Sequence, residues 1–169
     1  MPHPPDLRHA LQDAINVTQG AWVVERERVL CTILGSCVSV CLFDPVSGIG
    51  GMNHYVYPPR GGASPSRFSQ TTLSGDICME GLLAAMLQAG ARREWLRAKA
   101  FGGGRMFEHE DVLSVGKRNS SFAKYWLENN GIPLELTDFH GSYSRKLVFY
   151  PATGQHLCLR TPTCFSIAG

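Results

Sequence analysis

The chain has 169 residues, of which 44% are hydrophobic and 18% charged, and a formal net charge of +2. That length is ordinary for one domain and buries about two-thirds of the unfolded surface without disulfide staples. The weak net charge, with the basic pairs Arg92-Arg93, Lys117-Arg118 and Arg145-Lys146 far apart in sequence, argues against nucleic acid as a partner.

Residues 1–20, with prolines at 2, 4 and 5, predict a partly flexible N-terminal segment beside a short amphipathic piece. AWVV, VLCTIL, VSVCLF and GMNHYVY then predict short strands, rich in β-branched, Leu and aromatic residues and separated by charge, Gly or Pro. The uncharged stretch 29–43 is too short to span a membrane and no export signal is read ahead of it. A cytoplasmic protein without membrane insertion is therefore expected.

RGGASPSRFSQ predicts a loop. TTLSGDICMEGLLAAMLQAG predicts a helix with Met79, Leu82, Leu83 and Met86 on its core face and Gly90 at its end. WLRAKAFGGG reads as a strand running into a glycine turn. NSSFAKYWLENNG reads as a second helix capped by Asn119 or Ser120, with Phe122 and Trp126 one turn apart. IPLEL is a further strand, and KLVFY and HLCLR around PATG predict a hairpin. The sum is one α/β domain over 1–169, of the α+β type, with mainly antiparallel strands and at least two helices packed on them.

Six cysteines, at 31, 37, 41, 78, 158 and 164, are expected as free thiols in a chain with core enough to do without bridges. Cys31, Cys37 and Cys41 lack C-x-x-C spacing and no second ligand pair follows, so neither a metal nor disulfide exchange is indicated. FGGG at 101–104 lacks the Gly-Lys-Ser/Thr that a phosphate loop needs and reads by default as a plain turn. His109, His140 and His156 have no chemical partner in sequence.

Cys37, in LGSCVSV, is the residue with most to explain. DPVSG joins VSVCLF to GMNHYVY, with Asp44 suited to the first position of a turn and Pro45 to the second. A hairpin centred between Pro45 and Val46 pairs residues whose numbers add to 91, which sets Cys37 opposite His54. Val38, Val40, Leu42 and Ile49 then share one face, and Cys37, Ser39, Met52 and His54 the other. A thiol beside an imidazole suits acyl transfer: the imidazole takes the thiol's proton, and N–H groups near Ser36 and Cys37, on backbone loosened by Gly35, can receive an oxyanion. Core packing and a metal or redox role remain alternatives for Cys37 on composition and spacing alone.

TILGSCVSVCLFDPVSGIGGMNHYVYP resembles the signature of the CheD family of chemoreceptor glutamine deamidases. The likeness continues through AKAFGGGRMF, VGKRNSSF, GIPLELTDFHG and SRKLVFYPATG, over about 24–160. The resemblance implies Cys37 as nucleophile and His54 as its base, with strands and helices layered as in the cytotoxic necrotizing factor deamidases. It implies conversion of receptor glutamine to glutamate through a Cys37 thioester, with glutamyl methyl ester hydrolysis as a side capability and no cofactor. The implied partners are the helical cytoplasmic domain of methyl-accepting chemotaxis proteins and, in some members, a CheC-type phosphatase. A noncatalytic receptor- or CheC-binding adaptor is the alternative.

On one point the chain departs from the family pattern, which sets a threonine six residues before the nucleophile to orient the histidine. That position is Cys31 here and the nearest threonine is Thr32. An uninterrupted strand would turn Thr32 away from the face of Cys37, yet a hydroxyl accepts an imidazole N–H far better than a thiol does, so Thr32 is the expected orienter.

Overall fold

The computed structural model of the protein describes residues 7–59, 72–108 and 114–163. The loop predicted over 60–70, His109 and Cys164 lie outside the described residues.

Every residue of the strand β4 (Val38–Asp44) is buried, so this strand needs cover on both faces. It forms the centre of a five-stranded sheet with β2 (Trp22–Glu25), β5 (Ile49–Asn53), β6 (Arg97–Gly102) and β7 (Leu134–Phe139), in the order β2-β5-β4-β6-β7. A second sheet of β1 (Ile15–Asn16), β3 (Leu30–Leu34), β8 (Tyr143–Phe149) and β9 (His156–Pro162) has the order β1-β3-β8-β9. Pairing is antiparallel throughout except for β1 with β3 and β6 with β7. A short helix, α1 (Leu7–Gln12), precedes them.

The alternation predicted for β4 and β5 separates two cores. Val38, Val40, Leu42 and Ile49 pack under α2 (Gly75–Gln88) and α3 (Val115–Asn129), against Met79, Leu82, Met86, Ala123 and Trp126. Cys37, Cys41, Phe43 and Met52 face the second sheet and pack against Leu30, Leu34, Leu147 and Phe149. The layers therefore run helices, five-stranded sheet, four-stranded sheet, with α2 and α3 on the same side.

Two elements differ from the sequence reading. The second helix starts at Val115, capped by the Ser114 hydroxyl accepting from the Lys117 N–H, and not at Asn119 or Ser120. Gly116 in its first turn is a poor helix former, but a Cβ there would lie 2.8 Å from the carbonyl oxygens of Gly103 and Gly104. The β4–β5 connection is a four-residue loop, 45–48, rather than a turn centred between Pro45 and Val46. Asp44 Oδ1 accepts the N–H groups of Val46 and Ser47, and Gly48, at φ +69°, closes the loop onto the Asp44 carbonyl. Paired residues consequently add to 93, as Cys41 with Met52 and Leu42 with Gly51.

The two sheets approach closely at Gly50, where a Cβ would lie 2.4 Å from the Pro151 carbonyl oxygen in the β8–β9 turn. Gly50→Ala is expected to cost about 1–3 kcal/mol, because rigid backbone must give way. Denaturant unfolding monitored by circular dichroism checks it, and an unchanged midpoint would mean that the sheets slide apart freely.

Candidate active site

β3 delivers one side of the site. Leu30, Thr32 and Leu34 are buried, whereas Ile33 is exposed and Cys31 half-buried. Thr32 thus points between the sheets and Cys31 lies on the other face of its strand. Gly35 and Ser36 then carry the chain from the four-stranded sheet into the five-stranded one. Because β3 and β4 belong to different sheets, alternation does not run through this crossing, and Thr32 and Cys37 both face the inter-sheet core. This is the phase shift that the uninterrupted-strand expectation lacked.

The pairing of Val38 with Tyr55 continues the β4–β5 register. Cys37 is therefore opposite Val56, and His54 opposite Ser39. The direct facing of Cys37 and His54 expected from a sum of 91 is corrected to a diagonal relation. A slip of two residues preserves the face, so both side chains still project to the same side of the sheet.

The hydrogen bonds around His54 determine its tautomer. The Thr32 hydroxyl donates to the Val17 carbonyl at 2.7 Å, and Thr32 Oγ1 lies 2.7 Å from His54 Nδ1. With its one hydrogen spent on Val17, the hydroxyl is an acceptor towards the ring. The Val17 carbonyl, 3.3 Å from Nδ1, can only accept as well. Nδ1 must carry the proton, and Nε2 is the basic nitrogen. Nε2 is buried and has no hydrogen-bond partner among the described residues. Burial holds the His54 pKa below its ordinary value, partly offset by the Val17 carbonyl.

Cys37 is 7% exposed, and Gln19 Nε2 lies 3.9 Å from its sulfur. Burial raises the thiol's pKa, with its own backbone N–H opposing the rise. Thiol and imidazole are thus both shifted towards their neutral forms. The carbonyls around the nucleophile candidate are all engaged. Gly104 N–H donates to Gly35 and Gly103 N–H to Cys37, each at 2.9 Å, and Asn119 Nδ2 donates to Ser36 at 3.1 Å. Among the described residues, neither the Ser36 nor the Cys37 N–H donates to a backbone carbonyl.

A sequence model of the family described as "CheD chemotactic sensory transduction" matches residues 58–160, well over half of the chain. The chain belongs to the CheD family. It is 46% identical over 157 residues to the probable chemoreceptor glutamine deamidase CheD 2 of Dechloromonas aromatica (strain RCB), covering 92% of this chain and 79% of the relative. It is 39% identical over 148 residues to the probable chemoreceptor glutamine deamidase CheD 1 of Shewanella oneidensis, covering 87% and 72%. The corresponding protein of Rhizobium leguminosarum bv. trifolii is 41% identical over 143 residues, covering 83% and 76%. The family match starts after His54, whereas the Dechloromonas relative spans the Cys37–His54 segment.

In this CheD chain the FGGG segment, read from sequence as a plain turn, lies directly beneath the nucleophile candidate. Gly102 has φ +113°, and a Cβ on it would stand 2.1 Å from the Cys37 carbonyl oxygen, so a residue with a side chain cannot replace it without moving that carbonyl. Asn119, read as a helix cap, is instead a buried contact of Ser36. Consecutive glycines and a polar residue inside the apolar face of a helix were the available signals for both.

The remaining groups have other partners. His140 Nε2 meets the Ser120 hydroxyl at 2.7 Å and His156 Nδ1 meets Lys99 Nζ at 3.0 Å. Burial pushes the Cys78 thiol up to about 12, with Asp76 adding to the rise, and the Cys158 thiol up to about 11, with Asp138 adding. No group of three or more His, Cys, Asp or Glu among the described residues is arranged to hold a metal ion. No helix among the described residues is long and apolar enough to cross a membrane.

Proposed function

We propose that this CheD protein is a cytoplasmic chemoreceptor glutamine deamidase in which Cys37 is the nucleophile, His54 the general base and acid, and Thr32 the residue that orients His54. The observation that carries the reading is His54 Nε2, without a partner among the described residues, on the sheet face it shares with Cys37, with Nδ1–H committed to Thr32 and Val17. The names of the relatives support the substrate class.

In this mechanism His54 Nε2 takes the thiol proton as Cys37 Sγ attacks the side-chain amide carbon of a receptor glutamine. The carbonyl oxygen becomes an oxyanion, stabilised by the N–H of Cys37 and that of Ser36. The imidazolium protonates the amide nitrogen, ammonia departs and a thioester remains. Neutral His54 then takes a proton from water, whose oxygen attacks the thioester carbon, and returns it to the leaving sulfur. The product is glutamate, which adds a negative charge and a methylation site to the receptor. A glutamyl methyl ester reaches the same thioester with methanol as leaving group, so ester hydrolysis belongs to the same chemistry.

Intact-mass spectrometry of a purified receptor cytoplasmic fragment tests the reading. A gain of about one dalton per converted site, NH₂ replaced by OH, is the expected result. Stable binding of the fragment with no mass change at stoichiometric enzyme would instead indicate a noncatalytic adaptor.

The orienting role has its own test. Thr32→Val removes the acceptor for Nδ1–H at nearly constant volume and is expected to lower the deamidation rate by more than about tenfold, with little change in melting temperature. Cys31→Ser, on the other face of β3, is expected to keep near wild-type activity. The reverse ranking of the two variants would assign the role to position 31.

A further inference from the structure

Asn119 is fully buried in the first turns of α3, a place where an asparagine helps neither the helix nor an apolar core. Its Nδ2 donates to the Ser36 carbonyl at 3.1 Å and to the Val56 carbonyl at 2.8 Å. Two carbonyl acceptors require the NH₂ end of the amide at this point, which leaves Oδ1 on the other side, buried and without a partner among the described residues. An apolar side chain of the same size would avoid the unpaired acceptor but would take the donor away from both carbonyls, so the place of this asparagine is decided by what those two carbonyls need.

The two carbonyls that it holds identify what it does. Ser36 immediately precedes Cys37, and Val56 follows His54 by two residues, so one carboxamide braces the segment of the nucleophile against the segment of the base. No cis peptide bond occurs among the described residues, and in a trans peptide the C=O and the following N–H point in opposite directions. Fixing the Ser36 carbonyl on Asn119 therefore turns the Cys37 N–H to the side away from α3. Gly104 N–H on the Gly35 carbonyl and Gly103 N–H on the Cys37 carbonyl lock the peptide units on either side. The Asn119 backbone is itself held, its carbonyl accepting the Tyr55 hydroxyl at 2.6 Å.

We propose that Asn119 is a positioning residue for acyl transfer: its carboxamide braces the Ser36 and Val56 carbonyls and so aims the Cys37 N–H at the developing oxyanion. The proposal rests on the reading of Cys37 as the acyl-transfer nucleophile. It makes the oxyanion site a property of α3 as much as of the strand that carries the thiol.

The test compares two reactions of the same sulfur in the wild type, Asn119→Asp and Asn119→Ser. Acetylation of Cys37 by p-nitrophenyl acetate passes through an oxyanion, whereas alkylation by iodoacetamide displaces iodide at carbon and does not. Both variants are expected to acetylate about tenfold or more slowly at saturating ester, since removal of one oxyanion donor costs about 10²–10³ in rate. Their alkylation rates are expected to stay within about twofold of wild type. Equal loss in both reactions, or no loss in acetylation, overturns the positioning role.

If both substitutions unfold the chain, the wild type decides by amide NMR. The Cys37 N–H is expected to shift downfield when the acetyl-enzyme forms, and an unmoved resonance overturns the proposal. Wild-type protein that is acetylated at Cys37 but leaves a receptor fragment unchanged sinks the proposed substrate and not the positioning role. Receptor deamidation at wild-type rates by both Asn119 variants sinks the positioning role alone. Wild-type protein inert to ester and receptor alike overturns both.

Discussion

Cys37→Ala is expected to reduce deamidation of a receptor fragment below detection while leaving the fold and receptor binding in place. The sulfur is the only atom removed, and it lies at the rim of the inter-sheet core, where truncation costs about 1 kcal/mol, a typical single-substitution effect. No neighbouring thiol can substitute for it. Cys41 is fully buried and burial drives its thiol far up, Cys78 is a buried residue of α2 in the core on the other side of the five-stranded sheet, and Cys31 sits on the other face of its strand. Cys41→Ala is accordingly expected to fold less stably but to keep its turnover number per folded molecule. The measurement is single-turnover mass spectrometry of the receptor fragment at enzyme excess, with circular dichroism as the fold control. Turnover retained by Cys37→Ala and lost in Cys31→Ala or Cys41→Ala would show that another thiol does the chemistry. Iodoacetamide gives a second reading: among the described cysteines, Cys37 is expected to label fastest and with a rate that rises with pH. The basis is a base on the same face that can take the proton as carbon–sulfur bonding begins, because burial alone makes this thiol weakly acidic.

The parts of this site that sequence made legible are those set by a single strand or a single turn. Val38, Val40 and Leu42 alternate with Ser39, Cys41 and Phe43, and that alternation sufficed to put Cys37 and His54 on one face. It survived an error in the hairpin, because moving the turn centre by one residue, from 45.5 to 46.5, moves the pairing by two and leaves every side chain on its predicted face. The missed signal was Gly48, whose left-handed backbone lets Asp44 close a longer loop. The phase of Thr32 was not legible, because it depends on β3 joining a different sheet from β4. The hairpin of 143–149 with 156–162 is announced by PATG, but the pairings that bring 30–34 into that sheet, beside 15–16 and 143–149, have no local pattern to announce them. Asn119 was hidden for a similar reason: its acceptors, Ser36 and Val56, are 83 and 63 residues away. A buried polar residue whose partners are remote reads in sequence as a cap or a surface position.

His54→Gln is expected to lower deamidation by about 10² or more with receptor affinity nearly unchanged, the usual scale for a group that serves as both base and acid. Glutamine retains a donor for Thr32 and Val17 but cannot shuttle a proton, so the variant separates orientation from catalysis. The pH profile carries the stronger test. Burial lowers the His54 pKa from its ordinary value of 6.5, so the base form persists at neutral pH and wild-type turnover should fall only as pH drops below 6.5. The residual activity of His54→Gln should lack that acidic limb. The same shift has a consequence for stability, with a definite sign. Below pH 6.5 the unfolded chain binds a proton at this position that the folded chain resists, so stability is lost as pH falls until the folded pKa is reached. Burial lowers His140 and His156 in the same direction, so these two histidines keep part of that dependence in the variant. Urea unfolding between about pH 7.5 and 5 should therefore show a shallower loss of stability for His54→Gln than for wild type. A variant with an unaltered acidic limb would assign the base to another group, and one that loses binding in step with turnover would make His54 structural.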